Sequence, residues 1–203
     1  MTSVRAWAPG RLAGQLTFLV EAHRLSGVER RTRVAGGERL ENSAEHTWHL
    51  TLLCLVLGEY APPGVDLARV LPMLVVHDLV EIDAGDTYIY DVAGQAGKLE
   101  RERVAARRIF GLLPADQGAA LAELWEEFEA RRTPDARFAS ALDRLAPFLL
   151  NLEHQGGSWR EHRVTAAQVR ANLAKVGEGA PGLGPFVTAA IDGAIAAGWL
   201  AER

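Results

Sequence analysis

The chain has 203 residues, 48% of them hydrophobic and 24% charged, with a net charge of −4. That profile belongs to a globular chain able to bury a core without disulfides, and it excludes a disordered segment or a general nucleic-acid binder, though not a local basic site for one phosphate. A single cysteine, Cys54, excludes a disulfide framework and fits a reducing, cytoplasmic compartment; MTSVRAWAPGRL lacks a signal-peptide core, and no apolar run is long enough to span a membrane.

Helical periodicity runs through nearly the whole chain. Leu12, Leu16, Leu19, Val20 and His23 recur at helical spacing over residues 10–26, with a stop at Gly27. Ser43 reads as the N-cap of AEHTWHLTLLCLVLGEYA, a helix ending before Pro62-Pro63. Trp48 and Cys54 on that helix read as core residues. Asp66 caps a third helix, LARVLPMLVVHDLVE, whose Pro72 lies early enough to be tolerated. The stretch DAGDTYIYDVAGQAG, residues 83–97, is the one long irregular piece, and such pieces often carry function.

From Lys98 the helical pattern resumes in KLERERVAARRIFGLL, and Pro114 followed by Asp116 opens another helix through Arg131. Thr133-Pro134 has the form of an N-cap with proline at the first helical position. Thr165 starts TAAQVRANLAKV, and GPFVTAAIDGAIAAGWL makes the final helix. Alternating β patterns are absent. The expected fold is all-α, one single-domain bundle of about seven helices.

Several polar residues stand inside these apolar patterns. His46 and His49 are three apart and share a helix face, following Glu45. His77 and Asp78 are adjacent, and Glu81 lies one turn beyond His77. Adjacent helical residues point about 100° apart, so they reach one ion only beyond a helix end or in the angle between two helices. Imidazole with carboxylate suits a divalent Mn, Fe, Co, Ni or Zn ion. A further carboxylate is needed, and Asp143 is the best candidate because it interrupts the core-like run FASALDRLAPFLL. Taken singly, His49, His154 and His162 read as ordinary packed or solvated histidines.

His46 in ENSAEHTWHL, His77-Asp78 in VVHDLVEIDAGDT and Asp143 in ALDRLAPFLLN together resemble the HD-domain metal-dependent phosphohydrolase superfamily, and within it the 5′-deoxynucleotidase-like branch. The resemblance covers most of residues 12–155. It implies an HD-type helical bundle in which residues 165–200 pack on that metal-site core, and commonly a homodimer. It implies one divalent metal ion held by His46, His77, Asp78 and Asp143, and catalytic roles for Glu81 and Asp86. Glu81 would orient or deprotonate water and Asp86 protonate the leaving alkoxide, or the reverse; Asp83 is left as structural. Arg31, fifteen residues before His46, occupies the branch's phosphate- or nucleotide-contacting position, with Arg39 as second choice and Thr87 as a hydroxyl and backbone donor.

Thr32 stands where the nucleotidase relatives carry a tryptophan, and TYIYDVAGQAG also departs from them, so the metal centre transfers more directly than the substrate. Tyr88 and Tyr90 are candidates to stack on a base. The expected activity is hydrolysis of (deoxy)nucleoside 5′-monophosphates, with a small phosphorylated substrate rather than a nucleic acid polymer or a membrane as partner. The alternatives are cleavage of a triphosphate or cyclic phosphodiester, and a non-catalytic metal- or nucleotide-binding module.

Overall fold

Two apolar clusters organise the chain, and residues 67–84 contribute to both of them. A computed structural model describes residues 6–203; the reading of residues 1–12 as lacking a signal-peptide core falls in part on residues 1–5, outside the described residues. The elements in order are α1 (Gly10–Ala22), the hairpin β1 (Glu29–Arg33) and β2 (Leu40–Asn42), α2 (Ser43–Leu57), α3 (Leu67–Val76), and the short α4 (Glu81–Ala84) and α5 (Val92–Gln95). Then follow α6 (Lys98–Phe110), α7 (Ala115–Ala130), α8 (Pro134–Glu153), the short α9 (Gly157–Glu161), α10 (Ala166–Gly179) and α11 (Gly184–Ala196). Eight of these helices among the described residues have ten or more residues, close to the expected bundle, and the fold is all-α apart from the hairpin.

The larger cluster packs α2, α3, α8, α10 and α11 around Leu50, Leu74, Phe138, Leu142 and Val176. The smaller joins Phe18 of α1, Ile109 and Phe110 of α6 and Trp125 of α7 to Val76, Leu79 and Val80. The apolar residues of VVHDLVEI thus anchor one segment in two cores. α10 and α8 approach closely at Gly179, where a Cβ would clash with the Arg137 carbonyl oxygen. No helix among the described residues is long and apolar enough to cross a membrane.

Local chemistry explains most element ends, with two corrections. Thr133, Thr165 and Asp66 cap α8, α10 and α3 through their side-chain oxygens, as their sequence positions predict. The cap of α2 is Asn42 rather than Ser43, because Asn42 and Glu45 close a reciprocal capping box. Ser43 becomes the first helical residue and its hydroxyl donates to Glu81 Oε2 at 2.7 Å. The expected absence of strands also fails at the hairpin, in which Glu29 faces Asn42 and Arg33 faces Leu40. β1 reads ERRTR, and its inward positions, Arg30 and Thr32, are polar because they face a polar cavity rather than the core. Periodicity in apolar residues therefore had nothing to register there.

Candidate metal centre and its cavity

α3 stops at Val76 and tightens into a 3-10 turn over His77–Val80 before α4 resumes the helix. This break lets two adjacent side chains turn toward a common point. Both rings and the Asp78 carboxylate at that point are buried, and Asp143 is half-buried. His46, from α2, is fully buried, with its Nε2 3.1 Å from Asp143 Oδ1 of α8. His77 Nε2 lies 4.0 Å from the same oxygen and 2.9 Å from Asp78 Oδ1. Asp78 Oδ2 in turn lies 3.9 Å from His46 Nε2. Donor atoms of His46, His77 and Asp143 all fall within 4.8 Å of one another.

Three features make this donor set fit a divalent ion. His77 Nδ1 donates to the Leu74 carbonyl oxygen at 2.7 Å, which directs its free Nε2 inward. That Nε2 is buried and, although close to Asp78, has no partner in hydrogen-bond geometry. Imidazole nitrogens with carboxylate oxygens are also the donors that borderline divalent metals prefer.

A dense charge network surrounds the set. Arg30 Nη1 stands 3.2 Å from Asp78 Oδ2, 3.4 Å from Asp86 Oδ1 and 4.0 Å from Glu81 Oε2, while its Nε is 3.5 Å from Glu41 Oε2. Burial works against the guanidinium charge, but these four carboxylates outweigh it and raise the arginine further above its ordinary range. Burial first, then Arg30, pushes His46 down to about 4. For His77 burial is overcome by Asp78 and Asp143, and the ring rises to about 9. Burial lifts Glu81 well above the usual carboxylate range, with Asp78 adding to it, and raises Asp86 in the same direction. Burial likewise takes Glu41, 3.7 Å from His46 Nδ1, to about 7. These are the shifts that buried acid–base sites show.

The set opens into a cavity of about 710 Å³ whose walls include Glu81, Asp86, Thr87, Tyr88, Tyr90 and Arg31. Arg31 is exposed and lies beside Tyr88. Tyr88 and Tyr90 meet edge to face at 5.3 Å between ring centres. Arg39 is placed elsewhere: it forks onto Glu45 at 2.6 and 2.8 Å on the surface and does not line the cavity. Asp83 turns outward onto Arg108, which also binds Glu21. Trp48, read as core, is 64% exposed, because α2 is apolar on every side and its pattern does not distinguish inside from outside.

Sequence reasoning missed Arg30, Glu41 and Ser43. Burial alternates along β1, with Arg30 and Thr32 deeper than Arg31, but ERRTR carries no apolar alternation that signals it. Without a recognised strand, nothing set Arg30 apart, and the choice fell on Arg31 and then Arg39.

Comparison with known proteins agrees with this geometry. The HD domain family profile matches residues 22–183. A curated mouse (Mus musculus) protein named 5′-deoxynucleotidase HDDC2 is 30% identical over 147 residues, covering 72% of each chain. The human (Homo sapiens) protein of that name is 30% identical over 59% of this chain and 60% of its own length. A crystal structure described as a predicted metal-dependent phosphohydrolase, from Magnetospirillum magnetotacticum MS-1, superposes with a TM-score of 0.90. It is 50% identical and covers 94% of this chain and 96% of that one.

Proposed function

Because this chain belongs to the HD domain family and is a metal-dependent phosphohydrolase of that type, we propose that it hydrolyses phosphomonoesters, specifically (deoxy)nucleoside 5′-monophosphates. The observation that carries the reading is the convergence of donor atoms of His46, His77 and Asp143 at the edge of a cavity that His77, Asp143, Glu81 and Asp86 line. His46, His77, Asp78 and Asp143 would hold the ion, and Asp78 also stands 3.2 Å from Arg30 Nη1. A divalent ion held there supplies positive charge for a phosphoryl oxygen and acidity for water.

The chain's own groups do the proton work. Glu81, held by the Ser43 hydroxyl, is buried and basic enough to orient and deprotonate the attacking water. Asp86, raised by burial, donates a proton to the departing alkoxide as the P–O bond breaks, giving alcohol and phosphate. Microscopic exchange of the two roles leaves the overall balance unchanged. Arg30 keeps the neighbouring carboxylates apart and oriented, a positioning role. Tyr88 and Tyr90 offer ring faces for a base, and Thr87 and Arg31 line the side where the sugar and phosphate would enter.

The remaining features of the proposal are a cytoplasmic protein acting as a homodimer, with residues 1–203 forming one HD-type domain. The apolar outer face of α2, where Leu55 is 64% and Val56 67% exposed, suits burial against a second copy.

The test is a phosphate-release screen over nucleoside 5′-monophosphates, sugar phosphates, triphosphates and cyclic diesters, with added Mn, Co, Ni or Zn. Phosphate plus nucleoside from monophosphates, abolished in His77→Ala, is the expected result. Release of pyrophosphate or triphosphate would assign a different bond. Strong nucleotide binding with no turnover under any metal would make the protein a binding module instead.

A further inference from the structure

The cavity also carries basic side chains that the proton chemistry above does not use. Arg131 at the end of α7, Arg144 of α8 and Lys175 of α10 all line the same cavity as His77 and Asp143. Three separate helices converge to bring them there. Arg144 Nη1 lies 3.7 Å from Asp143 Oδ2, so this group adjoins the metal centre. The Nε atoms of Arg131 and Arg144 are both buried and have no hydrogen-bond partner.

Two further observations concern Arg131 and Lys175. Arg131 has φ 52 and ψ 33, a left-handed conformation that a non-glycine residue adopts at some cost. Lys175, one of only two lysines in the chain, is lowered by burial and then by the charges of Arg144 and Arg131, against a smaller pull from Glu178 and Asp143. Cations that repel one another in a half-buried wall are stabilised by an anion placed between them.

We propose that Arg131, Arg144 and Lys175 form an anion subsite that grips the substrate's scissile phosphate from the α8–α10 side and retains it as released inorganic phosphate. The identity of the anion rests on the phosphohydrolase reading. The geometry suits it: the subsite begins beside Asp143, so one phosphate can touch both it and an ion held by the ligand set. Two arginine forks and an ammonium match the three terminal oxygens of a phosphomonoester dianion.

Calorimetric titration of the metal-loaded full chain with inorganic phosphate tests this directly. Arg144→Gln and Lys175→Gln are each expected to weaken phosphate binding by about tenfold or more. Lys175→Arg should recover most of that loss, and Arg170→Gln, whose side chain pairs with Asp192 on the surface, should bind like wild type. Unchanged phosphate affinity in both Arg144→Gln and Lys175→Gln, with native circular dichroism and metal content, would overturn the proposal. Kinetics separate its failure from that of the function: Lys175→Gln should raise KM for monophosphates more than it lowers kcat. If KM rises only for a nucleoside 3′,5′-bisphosphate, the subsite serves a second phosphate and the proposal fails. If wild type binds phosphate through these residues yet hydrolyses no monoester, the subsite stands and the nucleotidase reading falls.

Discussion

At the scale of single residues, Arg30 is the member of the site on which most depends. Its one charge faces Glu41, Asp78, Glu81 and Asp86, and only 13% of its side chain is exposed. Removing one partner from a buried charge network costs about 3–5 kcal/mol, because the remaining charges lose their compensation. Arg30→Met should therefore lower the melting temperature sharply, whereas Arg31→Met, on the outer face of β1, should leave it nearly unchanged. Differential scanning calorimetry of the two variants compares them; equal melting temperatures would contradict the placement of Arg30. Glu81→Gln keeps the side-chain shape but loses the base, so turnover should fall about 10²–10⁴-fold with metal retained. Cys54 offers a control remote from this chemistry. It is fully buried and its thiol is pushed up to about 11 by that burial, so thiol reagents should modify it only on unfolding.

At the scale of elements, the caps and one close helix contact set what can change. Asn42→Ala should cost about 1 kcal/mol through the lost cap of α2. Gly179→Ala forces a methyl group against the Arg137 carbonyl oxygen and should cost about 1–3 kcal/mol, seen as a lower midpoint in urea. Stability unchanged in Gly179→Ala would mean that α10 and α8 are not packed as described. The same elements show what could be read beforehand. Helices with one apolar face and a side-chain cap, such as α8 behind Thr133-Pro134, were legible because propensity, capping and burial agree. The hairpin was not, because its inward residues are an arginine and a threonine whose partners lie some 48 residues away in sequence, as for Arg30 and Asp78. α2 lies between these cases: its helix was legible, but with apolar residues on all sides nothing marked Trp48 as outward. Asp143 was legible as a polar interruption in a core helix.

At the scale of the whole molecule, the site sits where two apolar clusters meet along residues 67–84. Cores on both sides hold His77, Asp78 and Glu81 rigidly, which is what a preorganised centre requires. A homodimer through the exposed face of α2 should run at twice the chain mass in light scattering, and Leu55→Glu should shift it toward monomer. Beneath all of this lies one claim, that residues from three separate helical segments hold a single divalent ion. Metal content per chain, measured by elemental analysis on wild type and Asp143→Ala purified side by side, tests it most directly. One ion per wild-type chain and strong loss in Asp143→Ala is the predicted result; full occupancy in Asp143→Ala would contradict it.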